Sequence, residues 1–231
     1  MTPQVTRNLL IINTIVFLFM AVSASLNAKL FSYGGLHYFA ASRFNVVQML
    51  SYMFIHGSFP HLLFNMFTLF MFGGIIERVL GSGRFLFYYL TCGLGAGIIQ
   101  ELSWFWTIDS ILGSMYNVPT HEVKELILTG RLADLPLALN SLVTVGASGA
   151  IYGILLAFAM LFPNMRMSVY FLPIFVKAKW MVLAFCVIEL LIGMSNAHDG
   201  IAHFAHLGGM LFGLVLIFYW KKKHIINGPY Y

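Results

Sequence analysis

Three short stretches of this 231-residue chain carry side chains that could do chemistry. Gly146-Ala147-Ser148-Gly149-Ala150-Ile151-Tyr152-Gly153 sets a hydroxyl between glycines. His203-Phe204-Ala205-His206-Leu207-Gly208-Gly209 sets two imidazoles before a glycine pair. His56-Gly57-Ser58-Phe59-Pro60-His61-Leu62-Leu63-Phe64-Asn65 adds two more imidazoles and an amide. A serine hydroxyl is a weak nucleophile and attacks a carbonyl only when a nearby base takes its proton. Ser148 is the candidate nucleophile and His206 the candidate base. His61 and Asn65 are four residues apart, hence on one helix face, where their side chains can donate to negative charge growing on an oxygen. The Ser148 backbone N–H would join them. Tyr152 lies one turn beyond Ser148 on the same face, placed to stack on the imidazole.

Each stretch also has a plainer reading. Gly149 and Gly153 form a small-xxx-small face that lets two membrane helices approach closely. His206, Gly209 and Gly213 share a face by the same spacing, with an imidazole at its end. His61 and Asn65 could simply hydrogen-bond a neighbouring helix. What favours chemistry is their coincidence in one chain.

The elements that must hold these groups follow from composition. Apolar residues make up 60% of the chain and charged ones 9%, against roughly 25% charged in soluble domains. Such a surface faces lipid. The net charge of +5 is no nucleic-acid signature, because the basic residues sit at the ends of apolar segments and form no patch. Cys92 and Cys186 lie inside apolar runs and read as packing residues.

About 20 mostly apolar residues cross a bilayer as a helix. Six stretches meet or approach that length: 8–27, 56–76, 85–106, 141–161, 179–194 and 199–220. The first is longer than the apolar core of a signal peptide and is expected to be a true span. Together they predict an all-α bundle of six transmembrane helices forming one domain over 1–231. With both termini in the cytoplasm, nine of the 13 Lys and Arg residues fall inside and four outside, the bias that sets orientation. Residues 28–55 read as a partly inserted loop, and 121–128 as a short amphipathic helix. Ser148 and His206 each fall about seven residues into their spans, roughly 10 Å below the outer boundary. His61 and Asn65 bracket that level.

At these residues the chain resembles the rhomboid family of intramembrane serine proteases. The family pattern is His-x-x-x-Asn in the second span, Gly-x-Ser-Gly opening the fourth, and a His with following glycines in the sixth. Here those are His61 to Asn65, Gly146 to Gly149, and His206 with Gly209 and Gly213. Glu77-Arg78 with Gly81-Ser82-Gly83 resembles the family's turn after the second span. Val47-Gln48 stands where members often carry Trp-Arg in the first loop. The resemblance implies a Ser148–His206 dyad, supported by His61, Asn65, Tyr152, Gly149 and Gly209. It also implies cleavage of single-pass transmembrane substrates in the bilayer, with no metal or other cofactor. A bacterial plasma membrane is the expected location.

Other readings stay open at this point. Some family members lack the nucleophile and act as membrane adaptors. His56, His61, His203 and His206 could hold a metal or haem. Glu189 and Glu101 would be the intramembrane acids of a transporter. No acid is placed beside His206, since Asp199 falls one to two turns before it and nearer the surface. Glu189 reads as a protonated or hydrogen-bonded structural residue.

Overall fold

The computed structural model describes residues 2–132, 134–168, 175–195 and 201–230, and within them the chain is a helical bundle. α1 (Gln4–Ala21) stops short of the predicted 27. Ser23 ends it by capping α2 (Ala24–Gly34), its side chain accepting from the Leu26 N–H at 3.1 Å, and a cap residue satisfies an N–H that has no partner within the helix. The following loop holds the short helix α3 (Gln48–Ser51).

α4 (Phe59–Leu80) opens where Ser58 accepts from the His61 N–H and Pro60 occupies the first turn, the one place a helix tolerates it. A π-turn at Leu69–Gly73 passes through it. Glu77 lies in its last turn, and Gly81 then turns the chain at φ +79°, a left-handed conformation that suits glycine.

α5 (Ser82–Tyr116) has 35 residues, about 52 Å at 1.5 Å per residue. That exceeds the roughly 30 Å hydrocarbon core. The predicted span, 85–106, is its central part; hydropathy falls after Trp106 but nothing there breaks a helix. α6 (Thr120–Leu128), which coincides with the expected amphipathic stretch, folds back beside it. Lys124 Nζ lies 3.5 Å from Asp109 Oδ2 of α5 and Val123 is buried. α7 (Leu135–Ser141) follows.

The predicted span 141–161 differs from what forms. Beyond Ser141, which ends α7, only α8 (Ser148–Leu161) is helical. Ahead of it β2 (Val143–Thr144) pairs antiparallel with β1 (Leu36–His37). Hydropathy sees an apolar segment but not whether it is coiled or extended. The short strands β3 (Arg166–Ser168) and β4 (Phe175–Lys177) lead to α9 (Ala178–Met194) and α10 (His203–Lys222). Residues 199 and 200 of the predicted sixth span, Asp199 among them, lie outside the described residues.

Among the described residues four helices (α1, α4, α5 and α10) are long and apolar enough to cross a membrane, while α8 has 14 residues and α9 has 17. Glycines bring α5, α8 and α10 together at backbone distance. A Cβ on Gly209 would sit 1.8 Å from the Gly149 carbonyl oxygen, and one on Gly153 would sit 2.5 Å from Cys92 Sγ. Tyr88 donates its hydroxyl to the Gly153 carbonyl at 2.7 Å across the same seam.

Candidate active site

Ser148 is the first residue of α8 and His206 the fourth of α10, so both occupy first helical turns. The seven helical residues expected before Ser148 are not there: Leu142–Ala147 is not helical. Ser148 Oγ and His206 Nε2 are 2.8 Å apart. The Gly149–Gly209 contact sets this distance, because any side chain there would drive the two helices apart. Tyr152, one turn along α8, lies flat on the His206 ring, with centroids 4.2 Å apart and planes within 5°.

The first N–H groups of a helix have no partner within it and favour negative charge. Ser148 and Gly149 supply such groups at the start of α8. The loop before them passes through Gly146 at φ +123°. A Cβ there would fall 2.6 Å from His61 Nε2 and 3.7 Å from Asn65 Nδ2. The bare glycine thus lets both side chains of α4 reach the serine loop. Asn65 is buried, and its Nδ2 has no hydrogen-bond partner among the described residues. A buried donor left unpaired costs about 1–3 kcal/mol, which is the arrangement expected of a group reserved for another acceptor. His56 packs edge-on against His61, with centroids 5.1 Å apart. The four histidines therefore divide into two pairs.

The second pair meets an acid that the sequence did not place. Glu189 of α9 is buried; one carboxylate oxygen accepts from the Tyr152 hydroxyl. The other lies 2.6 Å from His203 Nδ1 and 3.0 Å from His206 Nδ1. The His206 nitrogen approaches it without pointing along a hydrogen-bond line. The signal in the sequence was a carboxylate inside an apolar span, which is rarely without a partner. What spacing could not provide was the partner's identity, 14 to 37 residues away on two other helices.

A model of the Rhomboid domain matches residues 43–223. The chain belongs to the rhomboid family. Among curated relatives, the mitochondrial presenilin-associated rhomboid-like protein of Mus musculus is 30% identical over 188 residues, 79% of this chain and 42% of its own. Rhomboid protein 1, mitochondrial, of Saccharomyces cerevisiae is 24% identical over 176 residues, 76% of this chain and 42% of its own. YdcA of Bacillus subtilis, whose name proposes a rhomboid protease, is 29% identical over 178 residues, 76% and 68% respectively. The matched region thus covers less than half the length of the mitochondrial relatives.

The rhomboid family includes serine proteases that cut within membranes, and this chain is a membrane protein of that family. Its first loop is tied by the residue that departs from the expected Trp-Arg pair. Gln48 is buried, donates to the Tyr33 and Arg43 carbonyls at 3.3 and 2.9 Å, and accepts from the His37 and Asn45 N–H groups. Asn140 Oδ1 accepts from the Arg43 N–H, joining this rhomboid loop to the segment leading into α8.

Proposed function

We propose that this rhomboid is an intramembrane serine endopeptidase with Ser148 as nucleophile and His206 as base. The observation that carries the reading is the 2.8 Å approach of Ser148 Oγ to His206 Nε2 with Tyr152 stacked on the imidazole. In acylation Ser148 Oγ bonds to the scissile carbonyl carbon and its proton passes to His206 Nε2. The carbonyl oxygen takes the negative charge and is held by the Ser148 N–H with the side chains of His61 and Asn65. Collapse of the tetrahedral intermediate breaks the C–N bond, and the proton on His206 goes to the leaving amine. Water, deprotonated by the same imidazole, then releases the acyl group and restores Ser148.

The substrates are single-pass transmembrane proteins, cut inside or beside the helix. The chain crosses the bilayer six times with both ends in the cytoplasm. Support comes from the four long apolar helices, the two shorter ones, α8 and α9, and the basic residues at the inner ends. A bacterial plasma membrane draws support from the Bacillus relative, while other relatives carry mitochondrial names.

The deciding experiment is proteolysis in liposomes of a single-span substrate with an Ala-rich, Gly-containing outer half. Wild type should cut it and Ser148→Ala should not. Equal cutting by both, or none by a folded wild type across several substrates, rejects the reading.

A further inference from the structure

α9 turns an unusual face to the bundle. Its buried residues are Ala178, Val182 and Glu189, while Leu183, Val187, Ile188, Leu190 and Leu191 are exposed. The helix presents its carboxylate inward and its large apolar side chains outward. Placing a carboxylate in a lipid-surrounded bundle is costly unless it is paired and hydrogen-bonded. Glu189 meets that condition with three partners, and all three bear on one ring. Tyr152 covers the face of His206, His203 precedes it by one turn, and His206 Nδ1 itself lies 3.0 Å away.

We propose that Glu189 is the positioning acid of the site, so that Ser148, His206 and Glu189 act as a triad. This rests on the protease reading above. An imidazole accepts a proton at Nε2 only in the tautomer that carries hydrogen on Nδ1. Oε2 of Glu189 selects that tautomer and leaves the Nε2 lone pair facing Ser148 Oγ. When the serine proton arrives the ring becomes a cation, and the carboxylate balances it at a distance where water is scarce. Nδ1 lies 3.0 Å from Oε2 without pointing along a hydrogen-bond line, and catalytic hydrogen bonds are often loose before substrate binds. His203 and Tyr152 fix the carboxylate from its other sides. They restrain it much as outer groups orient the acid of a soluble triad.

The test compares wild type, Ser148→Ala, Glu189→Gln and Glu189→Asp in the liposome assay. Glu189→Gln keeps shape but removes charge, and should lower kcat by up to roughly 10⁴-fold, the loss an uncharged residue causes at the orienting position of a triad. KM should change less than about threefold, since the carboxylate touches no substrate. Glu189→Asp should recover part of the loss. In wild type the ¹⁵N signals of His206 should show hydrogen on Nδ1, and Glu189→Gln should mix the tautomers, a change that a merely structural residue would not produce. If wild type cuts and Ser148→Ala does not, yet Glu189→Gln keeps full kcat, the triad is overturned and the protease reading stands. If Ser148→Ala still cuts, the protease reading itself has failed. Should Glu189→Gln not fold, the wild-type spectrum decides alone: hydrogen on Nε2 overturns the proposal. So does a stoichiometric metal ion in protein purified without chelator that is lost in Glu189→Asp. The ligating atoms of Glu189, His203 and His206 all lie within 4.8 Å of one another, and an ion there would occupy Nδ1.

Discussion

Tyr152 and His206 lie face to face, and the Tyr152 hydroxyl donates to Glu189. One side chain therefore restrains the imidazole by its ring and the nearby carboxylate by its oxygen. The two roles separate by substitution. Tyr152→Phe keeps the stack and loses a hydrogen bond to a charged group, worth about 1.5–3 kcal/mol. It should lower kcat roughly tenfold. Tyr152→Ala also removes a ring contact worth about 0.5–1.5 kcal/mol, and should cost several-fold more. Steady-state cleavage rates in liposomes read both. Equal rates for the two variants would mean that the stack does nothing for the imidazole.

Gly209 tests how tightly the two helices must meet. A methyl group there would lie 1.8 Å from the Gly149 carbonyl oxygen, which is backbone and cannot swing away. Gly209→Ala must push α10 off α8, stretching the 2.8 Å Ser148–His206 approach. Overpacking of this kind destabilises by about 1–3 kcal/mol. The unfolding midpoint in detergent should fall, and cleavage by the folded fraction should fall much further. Normal kcat in a folded Gly209→Ala protein would show that the helix spacing does not set the site.

Asn65 presents a buried amide whose Nδ2 has no partner among the described residues. If it donates to the oxyanion, Asn65→Ala should reduce kcat by about 10²–10³-fold without abolishing turnover, the usual effect of losing one such donor. Stability should hold or rise, because an unpaired polar group has been removed from the interior. An unchanged kcat would remove Asn65 from the oxyanion site.

How much of this was legible before the fold depends on where each signal lies. Ser148, His206, His61 and Asn65 stand out because polar groups are sparse in apolar segments. Their assembly needed only the order of the spans. Tyr152 follows from helical spacing on one element. The helical start at Ser148 was hidden, because the pairing of Val143–Thr144 with Leu36–His37 is a contact between distant segments that hydropathy does not register. The Glu189 partners were hidden for a related reason. A helix period says which residues share a face, but the face opposite is set by how α8, α9 and α10 cross. Gln48 was read as a departure from a family pair, yet its amide reaches two carbonyls of the first loop. Nothing in its spacing announces that role.

Glu77 ties the start of α1 to the last turn of α4. Its carboxylate accepts from the Val5 N–H at 2.9 Å, from the Thr6 N–H and hydroxyl at 2.7 Å each, and from the Ser82 hydroxyl at 2.6 Å. Val5 and Thr6 lie in the first turn of α1, where N–H groups lack partners within the helix and the dipole favours an anion. Glu77→Gln removes the charge and turns an amide NH₂ toward groups that are themselves donors. With each bond to a charged group worth about 1.5–3 kcal/mol, and part of the set retained by the glutamine oxygen, a loss of about 2–4 kcal/mol in stability is expected. The unfolding midpoint in detergent should drop accordingly, while kcat per folded molecule stays within about twofold of wild type. A variant with an unchanged midpoint would show that the cap does not hold α1. One with a normal midpoint but lost activity would instead place Glu77 in communication with the site, which its position along α4 from His61, about 24 Å at 1.5 Å per residue, argues against.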